Sequence, residues 1–480
     1  MSMNASLIIL EIAVLFLGLC LLLLDLWTPP ERKRLLGYGA VVALIVIFAY
    51  SFKLAGASAQ FAFRDTYVLD GLALFFKRFF LLAAIFVLIM AVDFADRIQT
   101  GVAEFYSLIV FALAGMMFAA SANDFTMLFV SLELITVTFY VLTSFQRNRL
   151  PSLEAGVKYL IVGALSSGFL VYGIALVYGT TGTMSFGEVA VKAGALTNKS
   201  AFLFGLLFVV AGLAFKIAAF PLQIWAPDVY QGSPAPATAF LAVGSKSAGF
   251  VVLLRLLFTA VPQEITAHWA KLLMLISAVT ILYGNLCAIP QRNVKRLLGY
   301  SSIANAGYLL LGIAALSQAG STAILYYLGG YLFTVLAAFA VICVVMRQVE
   351  GEDITALAGL SQRSPLLAAT MTLAMVSLAG VPPLAGFFGK FLLFKAVIEA
   401  GPAYYWLIGV AIFGVIISIW YYFGVIRVMY WSDGASDMSP ITISPSLKVS
   451  LGVCIAGMLY LGVFPGAAVK IAGEAVKVLK

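Results

Sequence analysis

Charged residues are scarce in this chain of 480 residues, since only 10% of them are Asp, Glu, Lys or Arg, while 63% are hydrophobic. A soluble domain carries about 25% charged residues, so this composition excludes a soluble globular protein. The apolar runs are about 20 residues long, which is the length of transmembrane helices rather than of barrel strands. The composition therefore predicts an all-α polytopic membrane protein.

Residues that build redox and metal centres are also scarce. The chain has one histidine, His268, and its four cysteines stand singly within apolar runs: Cys20, Cys287, Cys343 and Cys454. This pattern excludes a disulfide framework and the spacing of an iron–sulfur centre, and it disfavours a haem or zinc site. The nucleotide-binding motifs GxGxxG and GxxxxGK are absent. We therefore expect this chain to bind no metal and no cofactor.

Fourteen apolar segments are predicted to cross the membrane. They cover 5–26, 35–54, 70–94, 103–121, 124–145, 154–179, 201–230, 236–260, 269–289, 296–317, 321–346, 366–400, 404–428 and 446–468. The net charge of +8 comes with basic clusters at the ends of spans 1, 5 and 9, as the positive-inside rule requires of cytoplasmic loops. We therefore expect both termini on the outer side, and we expect no nucleic-acid partner.

Spans 7 and 12 are longer than a membrane requires, and prolines interrupt both of them: Pro221 and Pro227 in span 7, Pro382 and Pro383 in span 12. Proline removes a backbone donor and clashes with the preceding helical turn. We therefore expect both helices to be broken. Broken helices at corresponding points of two halves are typical of transport sites built from repeats.

Five charged residues lie within the predicted spans. Glu133 and Lys246 lie nine and ten residues inside their spans, which is about 14 Å along a helix and close to the bilayer centre. Lys216 precedes the break in span 7, and Lys390 follows the break in span 12. Lys158 lies near the start of span 6. A charge at mid-membrane costs roughly 3 kcal/mol by insertion scales, so these residues indicate function.

A glutamate and several lysines in one wet channel can exchange protons when a neighbouring charge changes, which predicts a proton relay. For Glu133, Lys216 and Lys246 the alternative is a buried ion pair that only fixes helix packing. Lys158 could equally be a snorkelling residue or an i,i+4-paired surface residue. Four further cations are interpreted as interfacial anchors: Lys77, Arg78, Arg255 and Lys395.

One long segment, AFKIAAFPLQIWAPDVYQGSPAPATAFLAVGSKSAGF at 214–250, closely resembles the subunit N family of bacterial NADH–quinone oxidoreductase, respiratory complex I. Further segments are similar to the same family: KRLLGYSSIANAGY, GVPPLAGFFGKF and VSLELITVTFYVL. The resemblance implies a single membrane domain over 1–480 with two inverted five-helix repeats. They would comprise helices 4–8 (103–260) and helices 9–13 (269–428), flanked by 1–94 and 446–468.

The resemblance also implies roles for individual residues. Glu133 matches the glutamate that pairs with the lysine at Lys216, and Lys158 matches a lysine that modulates this pair. Lys246 matches the central lysine that links two half-channels. Lys390 matches the terminal lysine of the outward half-channel. Related chains often have histidine at the position of Asn305, so a relay there needs water or another group.

The implied function is that of a non-redox, proton-translocating subunit in a bacterial inner membrane. NADH, FMN, iron–sulfur clusters and quinone would be bound by other subunits. The implied partners are other membrane-arm subunits, including the antiporter-like subunit M and small membrane subunits, together with lipid.

Two alternatives remain open. One is a free-standing cation/proton antiporter of the same fold, although intramembrane lysines repel sodium where carboxylates would bind it. The other is a passive membrane scaffold whose buried charges only specify assembly.

Overall fold

The structure is a computed structural model that describes residues 4–54, 56, 58–262, 265–348, 351–432 and 439–479; the side chain of His268 lies outside this part. The helices are α1 (Ile9–Asp25), α2 (Lys33–Ser51), α3 (Gly71–Phe94), α4 (Val102–Ala120), α5 (Phe125–Thr143), α6 (Leu150–Thr181), α7 (Phe186–Gly194), α8 (Ser200–Ile217), α9 (Ala226–Gly232), α10 (Ala235–Phe240), α11 (Lys246–Arg255), α12 (Thr266–Ala288), α13 (Val294–Ala314), α14 (Gln318–Gln348), α15 (Leu360–Arg363), α16 (Pro365–Ala379), α17 (Ala385–Glu399), α18 (Tyr405–Trp431), α19 (Pro445–Val463) and α20 (Pro465–Val476).

Thirteen helical segments among the described residues are long and apolar enough to cross a membrane. They correspond to all predicted spans except span 12, which is divided into α16 and α17. The chain is thus a multi-pass, all-α membrane protein, as predicted from its composition. The inverted relation of the two repeats and their boundaries stay predictions.

Both expected helix breaks are present. After α8 the chain leaves the helix at Ala218, whose φ of 55° is left-handed, and Pro221 follows before α9 begins. Pro227 instead lies in the first turn of α9, where the missing N–H of proline removes no helical hydrogen bond. In span 12, Pro382 and Pro383 lie between α16 and α17.

The segment from α10 to Ala260 is one helix with two π-helical turns, at Leu241–Ser245 and Leu256–Ala260. Its most apolar stretch is completely buried, as is that of α13, whereas only about a third of the equivalent stretch of α6 or α18 is buried. The segment 235–260 and α13 therefore form the centre of the molecule. A polar group on either of them has to find its partner inside the protein.

Several short elements lie outside the predicted spans. An antiparallel hairpin joins β1 (Gln60–Ala62) to β2 (Tyr67–Leu69), and α7, α15 and α20 lie between or after the long helices. The span expected at 446–468 ends at Val463, because Pro465 starts the separate helix α20.

The interpretation of Lys77 as an interfacial anchor is wrong. Its ammonium lies 2.7 Å from Glu11 Oε1, and both side chains are fully buried. The Tyr67 hydroxyl lies between them, since it donates to Glu11 Oε1 at 3.0 Å and accepts from Lys77 at 2.5 Å. A carboxylate on α1, which lies far from Lys77 in sequence, thus neutralises the cation of α3.

Arg255 is also buried rather than an anchor. Its guanidinium donates to both oxygens of Asp70, at 2.9 and 2.7 Å, while Asp70 caps the N-terminus of α3 by accepting from Ala73 N. Burial alone would raise the pKa of the Asp70 carboxyl, but the Arg255 charge holds that pKa below its usual value. This ion pair joins α11 to α3.

Removing one partner of the Lys77–Glu11 pair should destabilise the fold. Lys77→Met leaves a buried carboxylate without its cation, which typically costs about 3–5 kcal/mol. We therefore expect a large drop in the melting temperature of the detergent-solubilised chain. A thiol-reactive dye can report unfolding, because Cys343 and Cys454 are buried in the folded state.

The double variant Glu11→Leu/Lys77→Met should recover most of the lost stability, because no charge then remains unpaired. Lys395→Met is the matched control, since Lys395 forms an exposed pair with Glu399 at 3.8 Å and such pairs contribute about 0–1 kcal/mol. If the double variant were as unstable as the single one, the pair would not be the cause.

Candidate functional site

Lys216 lies in the last turn of α8, next to the first helix break. Its ammonium donates to the Leu132 carbonyl of α5 at 3.2 Å and to the Thr136 hydroxyl. The indole of Trp225 donates to the Phe215 carbonyl at 3.1 Å, which satisfies a carbonyl at the open end of α8. A residue just after the break therefore satisfies a carbonyl just before it, and the Lys216 ammonium is directed to α5.

Glu133 lies on α5 beside the residues that hold Lys216, but it has a different partner. The Ser167 hydroxyl of α6 donates to Glu133 Oε1 at 2.5 Å. The expected Glu133–Lys216 ion pair is not a direct contact within 4.0 Å in the described structure. The two groups are neighbours along α5, with Leu132 preceding Glu133 in the chain.

Lys158 is placed away from this pair. Its ammonium lies 2.6 Å from Glu154 Oε1 and 2.6 Å from Asp228 Oδ2, and its side chain is 42% exposed. Asp228 also contacts Arg296. Ser167 is nine residues further along α6, or about 14 Å. Lys158 therefore belongs to a charged cluster that joins α6, α9 and α13.

Lys246 lies in the buried centre, immediately after the first π-helical turn. Its ammonium donates to the Ser302 carbonyl of α13 at 2.7 Å and contacts the Ser302 hydroxyl. The same hydroxyl bonds to Tyr230 at 2.7 Å and accepts from Tyr331 at 3.2 Å. Lys246 is thus solvated by hydroxyls rather than by a counter-charge.

Lys390 lies on α17, just beyond the second helix break. Its ammonium donates to the carbonyls of Leu378 and Ala379 at 2.7 and 3.3 Å. These are the last carbonyls of α16, which have no partner within the helix. The ammonium also lies 4.9 Å from the ring centre of Tyr308. Lys390 therefore closes the broken helix while it faces the polar interior.

A series of hydroxyl and amide groups begins at the Lys246 cluster. The ring of Tyr331 stacks on that of Tyr327 at 6.2 Å between centroids. Tyr327 donates to the Asn305 carbonyl oxygen, and the Asn305 amide donates to the Ser301 carbonyl at 2.9 Å. The Ser301 hydroxyl bonds to Tyr422 at 2.5 Å. Asn305 therefore lies within the polar interior of the second half.

The series continues from Tyr422 to Lys390. The rings of Tyr422 and Tyr421 lie 4.4 Å apart, and Tyr421 donates to Asn285 Oδ1 at 3.0 Å. The Asn285 amide lies 3.5 Å from the Tyr308 hydroxyl, and Tyr308 contacts Lys390. We call the whole set from Lys246 to Lys390 the polar series.

The sequence does not single out the tyrosines and Asn285, because a tyrosine or an asparagine in an apolar run carries no charge and its partner lies on another helix. The available signal was the hydroxyl group, since a buried tyrosine hydroxyl usually requires a hydrogen-bond partner. Asp228 was missed as well, although it lies within the WAPDVYQ segment.

A polar cavity of about 180 Å³ opens near Lys295 on the face predicted to be cytoplasmic. Lys295 contacts Glu352 Oε1 at 2.9 Å and the Ser233 carbonyl at 3.0 Å. The Ser233 hydroxyl is buried without a partner among the described atoms. The cavity is large enough for several waters, which need about 10–15 Å³ each. Water in it could reach the Ser233 hydroxyl.

The charges around this cavity act on one another. Burial alone would raise the pKa of Glu352, but the Lys295 ammonium and the Arg149 guanidinium hold that pKa below its usual value. Glu352 is therefore ionised in the folded state. Within the described ranges, no group of three or more His, Cys, Asp or Glu residues could hold a metal ion.

The model of one known protein family matches residues 122–418, and that family is described as "NADH:quinone oxidoreductase/Mrp antiporter, TM". The chain is 40% identical to NADH-quinone oxidoreductase subunit N of Desulforamulus reducens over 476 residues, 99% of this chain and 98% of that protein. It is also 40% identical to the subunit N of Heliobacterium modesticaldum over 478 residues, 99% of this chain and 100% of that protein.

Solved structures show the same fold. A chain in respiratory complex I from Thermus thermophilus with bound aureothin has a TM-score of 0.81 at 31% identity, over 97% of this chain and 100% of that chain. A chain in the Mrp complex from Dietzia sp. has a TM-score of 0.82 at 20% identity, and the match covers 98% of this chain and 97% of that chain. At that identity the second likeness is one of fold alone.

Glu352→Gln should change how stability depends on acid. The folded pKa lies below that of an unfolded glutamate, about 4.3, so the carboxylate stabilises the fold above that pH. This contribution is lost as the pH falls through the folded pKa. We expect the variant to melt at a lower temperature near neutral pH and to lose less further stability in acid, as measured by melting curves.

Glu399→Gln is the matched control, because Glu399 is 53% exposed and forms only the weak pair with Lys395. It should leave both the neutral and the acid melting temperatures unchanged. Identical acid profiles for the parent and Glu352→Gln would show that Glu352 does not stabilise the cavity wall.

Proposed function

This chain belongs to the NADH-quinone oxidoreductase subunit N family, and we propose that its polar series conducts protons within respiratory complex I. The observation that supports this most directly is the burial of Lys246 and Lys390 at the two ends of a series of hydroxyls and amides, in which ring contacts at Tyr331–Tyr327 and Tyr308–Lys390 join the hydrogen-bonded parts. The redox reactions take place in other subunits, and this chain moves protons without a cofactor of its own.

Protons enter from the cavity beside Lys295. Ser233 follows Tyr230 by three residues at the end of α9, and Tyr230 contacts Ser302, the partner of Lys246. Water then has to bridge the step between the Ser233 hydroxyl and the Tyr230 hydroxyl. From there a proton reaches Lys246 through groups that both donate and accept hydrogen bonds.

Transfer continues along the polar series to Lys390. Tyrosine and serine hydroxyls can accept one hydrogen bond while donating another, so they pass a proton without a lasting net charge. The amide of Asn305 cannot take up a proton as histidine does. Tyr327 and Ser301 flank Asn305 in the series, and a water between these hydroxyls completes the connection.

Glu133, Lys216 and Lys158 control this transfer through charge. Gly249 lies one turn beyond Lys246 on α11, and a Cβ on Gly249 would lie 3.1 Å from the Lys216 Cβ. The absence of that side chain lets α8 pack closely on α11. Charges interact strongly in a protein interior, so a change at Lys216 alters the free energy of a proton on Lys246. Lys158 lies at the surface of the protein and acts through its ion pair with Asp228.

The energy for transport arrives through neighbouring membrane-arm subunits, including subunit M and small membrane subunits. They change the field at the Glu133 and Lys216 positions when quinone is reduced elsewhere. In this arrangement the chain lies in a bacterial inner membrane with both termini on the outer side. Its likeness to the Mrp chain is one of fold alone, so it does not favour a free-standing antiporter.

Lys216→Ala and Glu133→Ala should suppress proton pumping by the assembled enzyme. Both substitutions remove the charge that controls proton transfer at Lys246, so this chain's share of pumping should be lost. NADH-driven pH gradients in membrane vesicles measure pumping, and native gels stained for NADH dehydrogenase activity measure assembly.

Lys395→Ala is the control, because Lys395 is a cation of α17 that is 59% exposed. It should assemble and pump like the parent. Full pumping by Lys216→Ala and Glu133→Ala would refute the charge-relay assignment. Loss of assembly in place of pumping would instead support a scaffold role.

Tyr422→Phe tests the polar series itself, because it removes the hydroxyl that bonds to Ser301 while keeping the ring. We expect this chain's share of pumping to fall about fivefold, the effect of losing about 1 kcal/mol of hydrogen bonding in the transfer path. The ratio of protons pumped to NADH oxidised is the measurement.

Tyr460→Phe is the matched control, since the Tyr460 ring is 53% exposed and lies outside the polar series. It should pump normally. A normal ratio for Tyr422→Phe in assembled enzyme would exclude its hydroxyl from the path.

A further inference from the structure

A groove of about 1010 Å³ lies apart from the polar series, between α2, α3, α14, α19 and α20. This volume is at the upper end of the roughly 300–1,000 Å³ that is usual for ligand pockets. The walls are mostly apolar and include Phe75, Phe79, Leu82 and Phe333. The groove can therefore hold a large hydrophobic molecule.

The length of the groove matches one leaflet of a bilayer. It extends along α3 from Gly71, the first residue of that helix, to Leu82. Eleven residues of helix span about 17 Å, and half of the hydrocarbon core is about 15 Å thick. One end of the groove therefore lies at the membrane surface and the other near the bilayer centre.

Arg78 lies seven residues along α3 from Gly71, about 10 Å from the surface end, and its side chain extends back towards that end. Arg78 donates to the Ser51 carbonyl at 2.8 Å, where α2 ends, and its guanidinium lies 4.5 Å from the Phe52 ring centre. Its Nε is buried without a partner among the described atoms. The Arg78 guanidinium therefore extends towards the end of α2, where backbone carbonyls accept its hydrogen bonds. Among the described residues, no carboxylate forms an ion pair with it.

Helix α20 brings further charge to the same end. Lys470, Glu474 and Lys477 all line the groove, and Lys477 contacts Glu474 at 2.7 Å. With Arg78, the three cations and one carboxylate leave a net charge of +2 at the rim. The buried face of α20 includes Ala472, Ala475 and Val476, small residues that pack against α3 and α14.

We propose that this groove binds one anionic phospholipid. Its acyl chains would lie against the aromatic wall of α3 and α14, and its phosphate would lie between Arg78 and the lysines of α20. An apolar channel one leaflet deep with a cationic rim matches the two chemical parts of such a lipid. A wholly apolar transmembrane helix from another subunit would leave the rim cations without a counter-charge.

Photo-crosslinking in membranes that contain the assembled complex tests this site. Two probes are compared, phosphatidylglycerol and phosphatidylcholine, each with a diazirine on an acyl chain, and crosslinked peptides are identified by mass spectrometry. We expect phosphatidylglycerol to label peptides of α3 and α14 that line the groove more than phosphatidylcholine does. Lys470→Gln/Lys477→Gln should reduce this preference by about fivefold per lysine.

A second variant blocks the groove without disturbing its walls. Gly329 lines the groove on α14, and a Cβ there would meet no atom within 4 Å. Gly329→Phe should therefore fill the groove and abolish the crosslink. Gly409→Phe is the matched control, because Gly409 also faces open space, on α18, and it should leave the crosslink unchanged.

Equal labelling by both probes, unaffected by Gly329→Phe, would overturn the proposal, because it would show only annular lipid. Crosslinks from the groove to a neighbouring protein, with no lipid adduct, would overturn it in favour of a protein occupant. Neither result depends on whether the polar series conducts protons, since the readout is the crosslink and not pumping.

Discussion

The hydrocarbon core of a membrane cannot hydrogen-bond, and this constraint shapes every polar part of the chain. Each helix break exposes carbonyls that need donors, and each buried lysine needs acceptors. The structure meets both needs at once in the second break, where Lys390 donates to the carbonyls of Leu378 and Ala379. The backbone that the prolines release thus becomes the site that holds the ammonium group.

The same constraint explains where the polar groups lie. The two most deeply buried segments, 235–260 and α13, carry Lys246 and Ser302, whereas Lys158 lies on α6, most of whose surface is open. Hydroxyls surround Lys246 at the centre, and opposite charges surround Lys158 at the edge. A proton can move through the first environment with little rearrangement, while the second holds its charges in fixed pairs.

The sequence predicted the class of fold and most helix positions, because runs of apolar residues and prolines act locally. It also identified the buried lysines Lys216, Lys246 and Lys390 and the half-buried Glu133, since a charge in an apolar run needs no structure to be noticed. It did not predict that Lys77 is paired with Glu11, because the two residues lie on different helices and only the tertiary fold brings them together.

The polar series escaped prediction for a related reason. Tyr327, Asn305 and Tyr422 come from three helices, and nothing in the local sequence distinguishes a tyrosine whose hydroxyl meets a partner from one that only fills space. The absence of direct contact between Glu133 and Lys216 also depends on side-chain directions across α5, α6 and α8. Such properties arise from tertiary packing rather than from periodicity.

A row of hydrogen-bonded hydroxyls has a direction for proton transfer, because each O–H bond points to the next oxygen in the row. When a proton is handed through Ser301 and Tyr422, each O–H bond is left pointing opposite to its former orientation. A second proton cannot follow until these bonds have rotated back. The row therefore has to be reset after every passage, and in a dry, tightly packed interior this rotation separates one transfer from the next.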